Sequence, residues 1–321
     1  MAGGLAIAGL LLAAAPAKGE VACGDVIGVH TPKNTKLTED LLCDTNPALT
    51  VARGAQLNMR GFTVECDNIS DDGIVLKGAR AKLRNGIVTG CFDGVVVAGR
   101  GSHQIQRVTS TGNNGNGFIA LDGSNGNRFV HNTSFMNSNE GYAVASDHNR
   151  FFNNTAADNQ DGFLVDGGSG NIFVNNTSKE NSNDGFDVGV SFDQSGGNDN
   201  RFINNMADNN NEDGFDVAAN DNRFNNNDAS GNAANGFIIN DEGGSQTTGN
   251  RNRFRNNTAN DNGEAGIAVF GTDNRITRNT ALGNNVANGG FFDLFDNDPA
   301  CDRNVWRRNT FDDAQPASCI D

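Results

Sequence analysis

Apolar positions in this chain fall in runs of only three to five residues that alternate with polar ones and are separated by Asn, Asp and Gly. That is the period-2 pattern of short strands joined by tight turns. From Gly73 onward a Gly-apolar-x-apolar unit returns at Gly94, Gly117, Gly141, Gly162, Gly185, Gly214, Gly236, Gly266 and Gly290, with spacings of 21, 23, 24, 21, 23, 29, 22, 30 and 24. A second unit sits between the glycines, as in Asn127-Arg128-Phe129, Asn149-Arg150-Phe151, Asn200-Arg201-Phe202, Asn222-Arg223-Phe224 and Asn252-Arg253-Phe254. Three positions beyond its apolar residue another Asn follows, at Asn132, Asn154, Asn205, Asn227 and Asn257, so two columns of Asn recur in step.

A period of about 22 residues is half that of a propeller blade, and a leucine lattice is missing. The spacing predicts an all-β solenoid in which each coil contributes three short parallel strands, paired with their equivalents one coil away at about 4.8 Å. Phe would stack on Phe inside and Asn on Asn at the corners, with Gly at each strand start where a corner needs positive φ. Roughly a dozen coils at that step make a rod on the order of 55 Å long, whose ends need capping. Composition agrees: 41 Gly argue against a helical bundle, and 21 Phe against one Tyr and one Trp point to buried stacking rather than an exposed sugar platform.

These repeats resemble the right-handed parallel β-helix repeat family, which includes carbohydrate-binding and sugar-hydrolysis domains, pectin and alginate lyases and alginate C5-epimerases. The resemblance covers residues 48–310 and implies a single-stranded right-handed parallel β-helix that binds or processes an extracellular, uronate-containing polysaccharide as lyase, epimerase or hydrolase. The alternative is a non-catalytic surface or adhesion rod. Residues 1–17 end in Ala15-Pro16-Ala17 and read as a secretory signal peptide, too short for a membrane span. Residues 18–47 are expected to form an N-terminal cap and 311–321 a C-terminal tail or cap. Six cysteines clustered at the two ends fit an oxidising compartment, secreted or periplasmic. Cys66 and Cys91 occupy the same slot counted from Gly61 and Gly86, and we expect bridges Cys23–Cys43, Cys66–Cys91 and Cys301–Cys319.

The net charge of −15 with no Lys/Arg-rich run disfavours nucleic acid. In Gly-Phe-Asp-Val the residue between two inward side chains faces solvent, which sets Asp187 and Asp216 one coil apart. Two such carboxylates suit acid/base cleavage of a glycosidic bond or Ca²⁺ held by Asp187, Asp216 and Asp193. The equally plain reading is a solvated polar face. Long connections at 189–199 and 240–251 flank a short one at 218–221. They suggest a notch floored by Asp187, Asp216, Asp221 and Arg223, with Phe192, Asp193, Asp241 and Glu242 on its walls. Arg201 and Arg223 belong to an outward Arg column that would orient a sugar carboxylate, unless Asp199, Asp221 and Asp273 neutralise it. A third set, Tyr142, Asp147, His148 and Asp166, looks like the Tyr/Asp/His/Asp set of alginate epimerases and lyases, although Tyr142 falls on the inward Phe column.

Overall fold

The computed structural model describes residues 20–189, 196–240, 248–285, 290, 292–298, 300 and 303–321. They form a right-handed parallel β-solenoid of about 12 turns, about 23 residues each. A first sheet of 13 strands runs its whole length, every strand paired in parallel with its equivalent one coil on. The second and third strands of each coil, such as Arg201–Ile203 and Met206–Asp208, build the other faces. Those two faces merge in the eight-residue strands Lys82–Thr89 and Gln104–Thr111, which turn the corner without a break. Toward the C-terminus the third strand shrinks to single bridges such as Asp228↔Thr258. Strands of three residues suffice because each is held on both sides by the ladders of its neighbours. Among the described residues no helix is long and apolar enough to cross a membrane.

The core is two parallel piles of rings. Phe163 stacks on Phe186 at 4.8 Å between centroids and Phe186 on Phe215 at 4.6 Å. Phe173, Phe202 and Phe224 form the facing pile at 4.7 and 4.8 Å, and the two piles meet edge to face, as in Phe186 against Phe202 at 5.9 Å. Strand spacing dictates the stack and the ring quadrupole favours the crossed contact. Tyr142 is one ring of the first pile, fully buried between Phe118 and Phe163.

Buried Asn ladders hold the corners. In Asn154 the backbone N–H and the side-chain Nδ2 both donate to Oδ1 of Asn176 one coil on, and Nδ2 also reaches the carbonyl of Phe129. Such an amide saturates a turn that water does not reach, whereas in the column through Asn149 and Asn200 the Nδ2 groups of Asn171 and Asn222 are buried without a partner among the described residues. Besides the two columns expected from the sequence there is a third, running through Asn113, Asn137, Asn159 and Asn181. The repeat glycines have a different cause from the one expected. No positive φ occurs at Gly185; a Cβ there would lie 2.6 Å from the Gly214 carbonyl and 2.8 Å from the Ala207 methyl. Positive φ falls instead on polar corner residues such as Asp199, Asn204 and Asp221.

Coiling begins inside the segment expected as a cap, with Val26 already in register with Thr50 and Cys43 with Cys66. Cys23–Cys43 and Cys66–Cys91 are both bridged. The second bridge is not between equivalent slots: Glu65 faces Thr89, which leaves Cys91 one residue beyond the partner position of Cys66. Cys319 is disulfide-bonded. Cys301 lies outside the described residues, as do residues 1–17, the segment expected as a signal peptide.

Candidate functional site

Two faces of the rod carry opposite chemistry. On the first sheet Asp187 stands in register with Asp216, flanked by Leu164 on one side and Ile238 on the other. Both carboxylates are half-buried, and the Asn240 amide donates to the two oxygens of Asp216 at 2.9 and 3.1 Å. Three residues before this pair runs a second acidic column. Asp161 Oδ1 accepts the Asp184 N–H at 3.0 Å, and Asp184 Oδ1 accepts the Asp213 N–H at 2.8 Å. Asn235 occupies the next rung, where its Nδ2 donates to Asp213 Oδ1 at 2.9 Å. An ionised Asp cannot supply such a side-chain donor, so in the rungs of Asp161, Asp184 and Asp213 carboxyl groups follow one another instead. Burial, reinforced by Asp213, pushes Asp184 up to about 9. Burial also raises Asp213 to about 6, its bonds from Asn235 opposing the shift. Of this pair, Asp184 is therefore the one that keeps its proton at neutral pH.

The second sheet presents the reverse charge. Arg201, Arg223, Arg253 and Arg275 stand in register on four successive coils, all exposed. Around the last three opens a groove of about 900 Å³ lined by eight arginines, among them Arg251, Arg255, Arg278, Arg307 and Arg308, against the three aspartates Asp199, Asp221 and Asp273. Asp221 grips Arg251 through both oxygens, the shortest contact being 2.7 Å. The other seven arginines form no ion pair among the described residues. Neutralisation by the protein's own acids is therefore partial.

The structure brings together some of the residues singled out from the sequence and separates others. Asp187 and Asp216 are neighbours, as spacing required, but they project from the first sheet, whereas Arg201 and Arg223 project from the second. Asp221 and Arg223 line the arginine groove, and Asp187 and Asp216 do not. The single notch expected from all four is thus two sites on two faces, because the corner between Val217 and Arg223 turns the chain from one sheet to the next. Phe192, Asp193, Asp241 and Glu242 lie outside the described residues. Among the described residues no group of three or more His, Cys, Asp or Glu side chains could hold a metal ion, so the Asp187–Asp216 pair by itself falls short of the several oxygens that Ca²⁺ takes. His148 sits exposed at a positive-φ corner with its ring over Gly170, and Asp147 accepts the Ser169 N–H. The Tyr142 ring is inside the rod, its hydroxyl 3.5 Å from the Thr155 carbonyl, so Tyr142 and His148 do not share a site. Sequence reasoning missed Arg251, Arg255, Arg278, Arg307 and Arg308, although Arg251-Asn252-Arg253-Phe254-Arg255 and Arg307-Arg308 spell the density locally.

The family model described as "Right handed beta helix region" matches residues 72–218. Among solved structures the chain is similar to the A-module of the mannuronan C-5 epimerase AlgE4 of Azotobacter vinelandii, with a TM-score of 0.63 and 15% identity over 88% of this chain and 85% of that one. It is also similar to the periplasmic alginate epimerase AlgG, with a TM-score of 0.52 and 12% identity over 87% and 78%. A third is the Dettilon tailspike protein, with a TM-score of 0.50 and 14% identity over 88% and 54%. At these identities the likeness is one of fold. No curated protein matches the sequence.

Proposed function

We propose that this β-helix protein is exported and binds an extracellular, uronate-containing polysaccharide in the arginine groove of its second sheet. The observation that carries the reading is the in-register stack of Arg223, Arg253 and Arg275. Guanidinium groups repeated at about 4.8 Å repel one another unless anions intervene, and a planar fork takes a carboxylate through two hydrogen bonds. A polymer with one carboxylate per sugar supplies anions in series. The acidic first sheet would repel the same polymer, which leaves the second as its place. Bridged cysteines support export to an oxidising compartment, and two of the proteins of like fold are named as epimerases of mannuronan and alginate.

The test is titration with alginate, pectate and a neutral glucan at low and high salt, on the wild type and on the Arg253→Glu/Arg275→Glu double variant. Acidic polymers are expected to bind, salt to weaken them, and the variant to lose about tenfold or more. Equal binding of the neutral glucan, or no loss in the variant, would end the proposal. Processing of the polymer is the second reading, favoured by the in-register Asp187–Asp216 pair on the first sheet with the raised Asp184 three residues before it, carboxyl groups of the kind glycoside hydrolysis uses. New reducing ends, ultraviolet absorbance from unsaturated ends, or proton exchange followed by NMR would separate turnover from binding alone.

A further inference from the structure

The second sheet changes character along the rod. In its C-terminal half arginine enters both outward columns: Arg253 stands beside Arg255, and Arg307 lies one coil beyond Thr277. Toward the N-terminus the first outward column stays basic through Arg223, Arg201, Arg150 and Arg128, interrupted once by Ile172. The second becomes apolar: Val130, Phe152, Val174 and Ile203 follow one another in register, all half-buried. These side chains point outward, because their neighbours Phe129, Phe151, Phe173 and Phe202 fill the interior pile. An apolar lane thus runs beside a basic lane with the same one-coil repeat, and the Arg128 guanidinium lies 4.9 Å above the Phe152 ring where the two lanes meet. Four successive apolar side chains on an outer face are not required by the core.

Resting on the groove reading above, we infer that the binding site continues N-terminally from the groove as a two-lane track along the rod, which takes one polymer chain with its carboxylates on the Arg128–Arg150–Arg201 lane and the apolar faces of its sugar rings on the Val130–Phe152–Val174–Ile203 lane. A uronate is amphipathic in the required sense, since its axial C–H bonds make one apolar face and its carboxylate stands at the ring edge. Inorganic polyphosphate offers the charge without the face. The occupant is accordingly a chain of acidic sugars long enough to lie over several coils, and its affinity grows with length past the end of the groove.

The experiment uses the full protein with oligouronates of about four and about twelve sugars, the latter longer than the four coils of the track and the four of the groove together, and inorganic polyphosphate as the charge-only probe. Variants are Phe152→Ser and Ile203→Ser, which leave the inward Phe151 and Phe202 in place; a thermal melt checks folding. Each substitution is expected to weaken the long oligouronate about fivefold, the size of losing one or two buried methylenes, and to leave the short oligouronate and polyphosphate unchanged. Unaltered affinity for the long chain would overturn the track while leaving the groove intact. An equal loss for polyphosphate would overturn the apolar lane as a sugar contact. Failure of the wild type to bind either oligouronate would sink the groove reading itself.

Discussion

Replacing Asp184 by Asn should make the protein more stable at neutral pH. Asp184 is 8% exposed and stands in a column whose other rungs include Asn116 and Asn235. Its Oδ1 accepts the Asp213 N–H, a bond Asn keeps, and the new Nδ2 could donate to the neighbouring carboxylate as Asn235 does. The folded pKa is raised by burial and by Asp213 from 3.8 to about 9. The native state therefore holds a proton that the unfolded chain releases above pH about 4, so stability falls as pH rises from there and levels off above about 9. At pH 7 the unfolded carboxyl is roughly three units above its own pKa, which at about 1.4 kcal/mol per unit bounds the cost at about 4 kcal/mol. Coupling to Asp213 shares that cost between two groups, so a gain on the order of 2 kcal/mol is a sound expectation for Asp184→Asn. Denaturant unfolding of both proteins at pH 4, 7 and 9 reads it directly: the difference should be small at pH 4 and grow with pH. A variant no more stable than wild type at pH 9 would show that Asp184 is ionised in the fold and that the reasoning is wrong.

Two further outcomes follow from the core. Phe202→Ala removes a ring stacked on Phe173 and Phe224 and crossed by Phe186 and Phe215, and should cost about 3–5 kcal/mol in denaturant unfolding, because the rigid ladders on both sides cannot collapse into the space. His103 is buried neutral, with Nδ1 accepting the Ala81 N–H and Nε2 bonded to the Ala98 carbonyl, and burial holds its pKa below the usual value. The unfolded chain takes a proton below pH about 6.5 that the fold refuses, a loss that runs against the gain from the raised Asp213, so in the Asp184→Asn background the His103→Gln variant should gain stability relative to its parent as pH falls from 7 to 5.

Much of the fold was legible because its repeat translates linear spacing into spatial neighbours. Phe163, Phe186 and Phe215 are 23 and 29 residues apart, yet they stack, since the strands on either side of the longer connection keep their register. The same logic placed Asp187 over Asp216. It failed where more than the register of one strand had to be known. The corner angle that sends Asp187 and Arg223 to different faces is not written in the spacing. Nor is the one-residue offset of Cys91, which the continuous strand Lys82–Thr89 imposes by pairing with two strands at once. The glycines were read through φ when the deciding term was the closeness of the next coil, a contact between chain segments that no local pattern reveals.

Charge was the least legible property, and for a physical reason. Counted over the chain, acids outnumber bases and a polyanion is an improbable partner. The solenoid sorts them by column: the x of Gly-Phe-x-Val always emerges on the first sheet, and the Arg of Asn-Arg-Phe always on the second. Copying a coil multiplies each sign on its own face, so a net charge of −15 coexists with eight arginines around one groove. Screening over about 8 Å at physiological salt confines each face to its own field. A polymer approaching the rod then meets the local sign rather than the total. On the reading proposed above, an acidic polysaccharide would be turned away from Asp187 and Asp216 and drawn onto Arg223, Arg253 and Arg275, where each of these coils would add one more point of contact along the same axis.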